Sequence, residues 1–317
     1  MQRSPDGFIP ASDFLKSCMA PQPSFNDGQA IEQVIIINEN SISQQVGSLR
    51  SPLSPYGKKI RYAVLEFEVL LDSSSIDSSN WEMIASTIYA NYDAFDGFVV
   101  LHGTDSLAYT SSALSFMLKD LGKPVILTGS QVPMSELQSD GVDNLLGSLI
   151  IAGHFMIPEV CLFFNYNLFR GNRATKIAAA DFGAFASPNH PPLATVSAAG
   201  TKVYWHLVFR PTGLTAMSVQ RNFQEAHVAC LRIFPGIKAE MIRAVLNVEN
   251  LKGLVLETFG SGNVPQGALL GVLGDAVKRG IVVVNVTQCL SGTVSPTYAP
   301  ATALGRLGVV FGHDLTS

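Results

Sequence analysis

The sequence predicts an α/β fold of two domains: a larger N-terminal domain on a parallel sheet with helices on both faces, and a smaller, Rossmann-like C-terminal domain. Three observations carry this. Hydrophobic residues make up 47% and charged residues 15% of the chain, a composition suited to strands covered on both faces and therefore unbroken in their apolar runs. The 317 residues can bury a large core, and a chain of that size ordinarily divides into two domains. Short apolar runs alternate with segments of helical period, which specifies parallel strands joined by right-handed crossovers.

In chain order, the opening "MQRSPDGFIP" carries turn chemistry at Ser4-Pro5-Asp6-Gly7, with proline fixing φ and glycine free to adopt positive φ. Residues 19–59 read as loop-rich, with one strand at "VIII", 34–37. From Tyr62, "YAVLEFEVLLDSSS" reads as a strand and a serine-rich turn, followed by a helix with Ser78 or Ser79 as N-cap. The unit repeats: a strand at 98–101, a polar turn, and a helix ended by Gly122 in a left-handed cap. "KPVILTGSQVP" adds a strand, a helix starts near Asp140, and "EVCLFFN" is the next strand. At 185–222 the rhythm fails among prolines and glycines, which suits extra strands and a linker.

The rhythm then resumes with strands at "AHVACLRIFPG", "KGLVLETFGSGN" and "IVVVNVTQCLSG", and helices at 238–246 and 268–279. The expected division is 1–205, a linker at 206–224, and a second domain at 225–317. "GVVFGHDLTS" reads as a strand and then, from Asp314, the first turn of a helix with nothing after it. Both ends of the chain read as cut.

A net charge of −4 and a pI near 5.9 supply no basic footprint for nucleic acid or anionic lipid. No apolar run approaches the ~18 residues a membrane helix requires, and no signal-peptide pattern opens the chain. The expectation is a cytoplasmic protein with a small-molecule ligand, no nucleic-acid partner and no membrane partner. Cys18, Cys161, Cys230 and Cys289 lie far apart, and the histidines form no H-x-x-x-H or H-E-x-x-H pattern. The expectation is therefore buried thiols and no metal site.

In open α/β sheets ligands sit beyond the carboxyl ends of the strands. Three hydroxyl-rich turns fall there: Asp72-Ser73-Ser74, Gly103-Thr104-Asp105-Ser106 and Thr128-Gly129-Ser130-Gln131. None is basic, which argues against a phosphate cradle. Gly260-Ser261-Gly262-Asn263 is half a dinucleotide fingerprint without the third glycine. At 103–106 the bland reading is helix capping. The chemical reading needs a base, because a threonine hydroxyl is a poor nucleophile until its proton is removed. A desolvated lysine tuned by an aspartate meets that need. Lys176 lies just past the apolar run 161–164, in a loop with Arg170 and Arg173. Solvated lysines are commoner than catalytic ones, and spacing alone leaves both readings open.

The segments "DGFVVLHGTDSLAYTSSALSFMLKDLGKPVILTGSQVP", "LLDSSS", "SDGVDNLLGSL", "FRGNRATK" and "VNVTQCLSGTV", in this order and spacing, resemble the L-asparaginase family, and among them the cytoplasmic type I enzymes. The resemblance runs along the whole chain and is weakest at 19–59. It implies hydrolysis of L-asparagine to L-aspartate and ammonia on a two-domain α/β fold, without a cofactor. It also implies a Thr-Lys-Asp relay at Thr104, Lys176 and Asp105. By the same resemblance Ser73, Ser74 and Asp105 bind substrate, and a second, regulatory asparagine site lies near Thr287 and Cys289. Subunits are expected to pair as homodimers or homotetramers.

The departures are specific. The family opens with a strand ending T-G-G-T-I-G-M whose second threonine is the primary nucleophile, and the present sequence begins at the Met of that motif. The family's loop tyrosine corresponds to Phe8, and Ser106 stands where threonine is usual. The expectation is a product lacking its first strand, inactive or nearly so as written, while the complete product hydrolyses asparagine. The alternatives are a non-catalytic asparagine-binding or regulatory subunit and, behind it, a dinucleotide enzyme built on 260–263.

Overall fold

The computed structural model describes residues 2–5, 7–221 and 227–317. The chain forms two compact units, 1–221 and 222–317. Residues 222–226, where linker and second domain were expected to meet, lie outside the described residues, as do Met1 and Asp6.

The first unit opens with a two-stranded ladder, β1 (Gln2–Ser4) against β2 (Gly7–Ile9), in which Phe8 pairs with Arg3. Residues 19–59 hold more order than their composition suggests: β3 (Glu32–Ile37) and β4 (Ser43–Arg50) lie within them and form an antiparallel sheet with β5 (Arg61–Ala63). β4, "SQQVGSLR", is too polar to declare itself, and its pairing on both sides is what makes it a strand. The strand expected from Tyr62 stops at Ala63, and a 3-10 turn, Ser73–Ser75, follows. Helix α1 (Ser78–Ala90) is capped by Asp77, not by Ser78 or Ser79. The Asp77 carboxylate accepts from Ser79 N and Asn80 N, and the Asn80 side chain returns the bond. A carboxylate there also faces the positive end of the helix, which a serine does not exploit.

The main sheet begins with β6 (Phe98–Leu101), followed by α2 (Leu107–Met117) and β7 (Leu118–Lys119). Gly122 does not cap α2. The chain leaves the helix early at Leu118, and Asp120 takes the left-handed φ of 56°. Then come β8 (Val125–Thr128), α3 (Gly141–His154), β9 (Val160–Phe164) and β10 (Asn167–Arg170). A small hairpin, β11 (Thr175–Lys176) with β12 (Phe185–Ala186), precedes β13 (Ala194–Ser197) and β14 (Gly200–Val203), and β15 (Ser218–Val219) returns to pair with β7. Lys176 and Arg170 thus lie on strands, not in an open basic loop.

Sheet order is β14-β13-β10-β9-β8-β6. β6, β8 and β9 run parallel, and the three strands beyond β9 extend the sheet antiparallel. Alternation along β8 and β9 explains their unbroken apolar sequences. Val125, Leu127, Leu162 and Phe164 pack with α1 and α2, whereas Ile126, Cys161 and Phe163 join Ile151 of α3 in a second cluster. All the β8 and β9 residues are buried.

The second unit is a four-stranded, all-parallel sheet: β16 (His227–Arg232), β17 (Leu251–Thr258), β18 (Val282–Thr287) and β19 (Val310–Phe311) in that order. The intervening helices are α4 (Ala239–Leu246), α5 (Ala268–Lys278) and α6 (Ala299–Arg306). Helix α6 escaped the sequence reading because "APATALGR" is brief and flanked by turn residues. After β19 the chain makes a turn closed by Leu315 N to Gly312 O, and no helix starts at Asp314.

Candidate active site

The carboxyl ends of β6 and β8 and the 72–75 turn meet on one side of the first unit. Asp72 accepts from Ser74 N at 2.9 Å and Ser74 Oγ at 2.6 Å. Those bonds hold its carboxyl below the usual carboxylate range. Ser73 is buried, and its carbonyl accepts from the Ser106 hydroxyl. Ser106 occupies the N-cap position of α2 yet makes no cap bond to its own helix, so this hydroxyl ties two turns together instead. The approach is so close that a Cβ on Gly103 would fall 2.5 Å from Ser73 Oγ, and one on Gly129 would fall 2.2 Å from the His102 carbonyl oxygen. Glycine is required at both places for the turns to touch.

Thr104 and Asp105 follow Gly103 in the turn after β6, and Lys176 reaches them from β11, 72 and 71 residues away in sequence. Lys176 Nζ donates to Thr104 Oγ1 at 2.9 Å and to Asp105 Oδ1 at 2.8 Å. Hydroxyl, ammonium and carboxylate therefore converge within hydrogen-bond reach. The Lys176 side chain is 22% exposed and that of Asp105 67%. The lysine is thus sheltered, whereas the carboxylate is accessible to an arriving cation. Such an arrangement can move a proton between hydroxyl and amine and balance the charge that results.

Three residues outside the expected set complete the site. Thr104 Oγ1 donates to Gln131 Oε1 at 3.1 Å. Gln131 N and Val132 N donate to the two oxygens of Asp140, each at 3.0 Å. Asn144 donates to Gly129 O and Asp140 Oδ2, and accepts from Asn165 N. Asp140 sits at the N-cap position of α3 but makes no cap bond to it. Its carboxylate turns back to the strand end, a role that a helix-start reading of "SDGVDN" hides.

His102 is held from both sides. Trp81 Nε1 donates to Thr110 Oγ1 at 3.0 Å, and Thr110 Oγ1 lies 2.9 Å from His102 Nε2. His102 Nδ1 lies 2.6 Å from the Gly103 carbonyl oxygen. A carbonyl only accepts, so Nδ1 carries the proton and Nε2 accepts from Thr110. Burial pushes the His102 pKa down, in keeping with a neutral ring.

In the second unit Thr287 ends β18, and its Oγ1 accepts from Cys289 N at 3.0 Å. At the same strand ends Thr258 Oγ1 donates to Asn285 Oδ1 and Asn285 Nδ2 donates to Gly262 O. The Gly260–Asn263 segment is a turn closed by a bridge between Phe259 and Asn263. Helix α5 starts only at Ala268, so these glycines do not open a helix as a dinucleotide turn does. Among the described residues no group of His, Cys, Asp and Glu could hold a metal ion, and no helix is long and apolar enough to cross a membrane.

Comparison with known proteins gives the family of the two units. Residues 16–209 match the family "Asparaginase, N-terminal", and residues 227–317 match the "Glutaminase/Asparaginase C-terminal domain". The L-asparaginase 1 of Escherichia coli is 42% identical over 318 aligned residues, covering 100% of this chain and 84% of that protein. The mouse "60 kDa lysophospholipase" is 49% identical over 267 residues, 84% of this chain and 47% of that protein. The chain thus spans about half the length of that relative and of its human counterpart. The crystal structure of L-asparaginase I from Vibrio cholerae aligns with a TM-score of 0.73 at 45% identity, covering 80% of this chain and 75% of the other.

Proposed function

Because the chain belongs to the asparaginase family, with both family domains in order, we propose that its site hydrolyses L-asparagine to L-aspartate and ammonia through Thr104, Lys176 and Asp105. The observation that carries this is the pair of bonds from Lys176 Nζ to Thr104 Oγ1 and Asp105 Oδ1. With Nζ in its neutral form, the Thr104–Lys176 pair takes a proton from the water whose oxygen adds to the side-chain amide carbon. Asp105 offsets the charge that appears on Nζ. The amide C–N bond breaks as that proton passes to the leaving nitrogen, so that the oxygen of the water ends in the aspartate carboxyl and the nitrogen leaves as ammonia.

Substrate recognition falls to the accessible Asp105 carboxylate, which suits the α-ammonium, and to Ser73 and Ser74. Ser74 Oγ gives its proton to Asp72, so toward a ligand it acts as an acceptor. Thr287 and Cys289 are the proposed contacts of a separate regulatory site for asparagine. A cytoplasmic location and homodimers or homotetramers complete the proposal.

The test is ammonia release from L-asparagine by the full chain and by Lys176→Met. Release that falls by a factor of ~10²–10⁴ in the variant supports the relay; an unchanged rate overturns it. Heat of L-asparagine binding without any ammonia formed selects a second reading, an asparagine-binding subunit. The exposure of Asp105 beside the 73–74 turn favours that reading, since binding does not need the relay.

A further inference from the structure

Gln131 stands at a junction that the relay does not account for. Its Oε1 accepts from Thr104 Oγ1 at 3.1 Å, and its Nε2 donates to the Asp181 carbonyl oxygen at 3.2 Å. A backbone carbonyl only accepts, so the amide orientation is fixed by its partners. Asp140 holds the Gln131 backbone from behind.

Asp181 belongs to the 177–184 segment that links β11 to β12. The base of this hairpin is pinned. Ile177 N and Ala178 N donate to Ala184 O, and the Phe185 ring packs on Phe164 with centroids 4.9 Å apart. The tip is exposed, with Phe182 at 46%, and Gln131 Nε2 ties it to the strand ends. Lys176 lies at the hairpin's first strand, so one short element carries the relay's amine and rests on the glutamine that receives the relay's hydroxyl.

A hydroxyl has one proton. Here Thr104 directs it to Gln131 while accepting from Lys176. To pass that proton to Nζ, the hydroxyl must turn away from Gln131. The position of the amide therefore sets which way Thr104 points, and the hairpin sets the position of the amide.

We propose that Gln131 is a positioning residue that couples the Thr104 hydroxyl to the 177–184 hairpin, making that hairpin a latch over the site. The catalytic part of this rests on the amidohydrolase reading above; the coupling itself does not.

Hydrogen exchange of the full chain tests it, read in 177–184 with the buried strand β8 as internal reference. Gln131→Met removes both bonds and is expected to speed exchange of the hairpin by about 2- to 10-fold, the range of one net hydrogen bond. In the Lys176→Met background, which already lacks the bond from the hairpin's first strand to Thr104, Thr104→Val touches no further hairpin atom, yet it is expected to speed the same amides because it frees the Gln131 amide. In that same background, Thr104→Val added to Gln131→Met is expected to exceed Gln131→Met by nothing, since the two act through one link. Hairpin exchange left at the background rate by Thr104→Val, or effects that add, overturns the proposal.

Gln131→Glu guards against misfolding of the first variant. It retains an acceptor for Thr104 but presents an oxygen to Asp181 O, so it too should open the hairpin; parent-like exchange in it also overturns the latch. Coupled exchange in a chain that neither binds nor hydrolyses L-asparagine sinks the amidohydrolase reading alone. Lys176-dependent ammonia release with uncoupled exchange sinks the latch alone.

Discussion

Two ion pairs of the first unit are built from the same chemistry and set in opposite surroundings. Arg170 and Glu159, with side chains 8% and 9% exposed, form a two-point pair: Nε to Oε2 at 2.5 Å and a second guanidinium nitrogen to Oε1 at 3.2 Å. Arg170 also donates to Leu207 O and stacks on the Phe209 ring, and Glu159 accepts from Phe209 N. Each side chain thus has a further partner inside the protein besides the other. Lys176 and Asp105 meet at 2.8 Å with 22% and 67% exposure. The amine's other partner is a hydroxyl, and the carboxylate is open to solvent. The first pair is closed and fastens the 207–209 segment to the sheet. The second is open on its carboxylate side and joined to a hydroxyl, which is why chemistry is proposed for it.

The comparison breaks most sharply on Lys176→Met. Ammonia release is expected to fall by a factor of ~10²–10⁴, while the denaturant midpoint shifts by no more than about 1 kcal/mol, the worth of an exposed pair. A large stability loss together with modest activity loss in coupled assays would make this pair structural, like the other. Glu159→Ala should behave in the opposite sense. Removing one partner strands a buried guanidinium, at a cost of about 3–5 kcal/mol, read as a drop in the urea midpoint. A cost below about 1 kcal/mol would mean that water reaches Arg170 and the contrast in burial is immaterial.

Much of this was legible before any coordinates. β8 and β9 announce themselves as apolar runs because both faces of their sheet are covered. The strand at 98–101, β17 and β18 are apolar runs as well, although Val228, Val282 and Val310 leave one face of the second sheet exposed. The 103–106 turn was visible from its position after such a run. Composition could not distinguish capping from catalysis at Thr104, because both use the same hydroxyl; the arrival of Lys176 from 72 residues away is a contact that capping does not require. Gln131 and Asp140 were seen as a turn and a helix start, since the bonds that define them cross between elements. Polar β4 and short α6 were missed because their order comes from neighbours and not from local pattern. The Arg170 pair was misread as part of a solvated basic loop, as a buried arginine looks no different from an exposed one in sequence.

Asp105→Asn sharpens the contrast at smaller scale. It keeps the shape but removes the charge that an α-ammonium would meet. Stability should move by about 0–1 kcal/mol, whereas calorimetric affinity for L-asparagine should weaken by the ~1.5–3 kcal/mol of a charge-assisted hydrogen bond. Undiminished affinity would remove Asp105 from the binding set and leave it only the lysine to serve.

The smallest expected effect concerns acid. It falls on His102, one residue from the 103–106 turn. Burial lowers its pKa below the ordinary histidine value of 6.5, so the unfolded chain takes up a proton at a pH where the folded one resists. Stability from this group is therefore complete above about pH 6.5 and declines as pH falls from there toward the folded value. His154, lowered by burial and then by Lys58, acts in the same window and the same direction. Asp72 and Asp77, both lowered from 3.8 by serine hydrogen bonds, enter only at more acid pH. His102→Gln should accordingly flatten, without abolishing, the fall in thermal midpoint between pH 7 and pH 5, and a His102/His154 double substitution should flatten it further. A parent protein equally stable at both values would show that the His102 ring accepts its second proton at no cost. In that case the Thr110 bond to Nε2, and with it the neutral tautomer beside the 103–106 turn, would have to be reassigned.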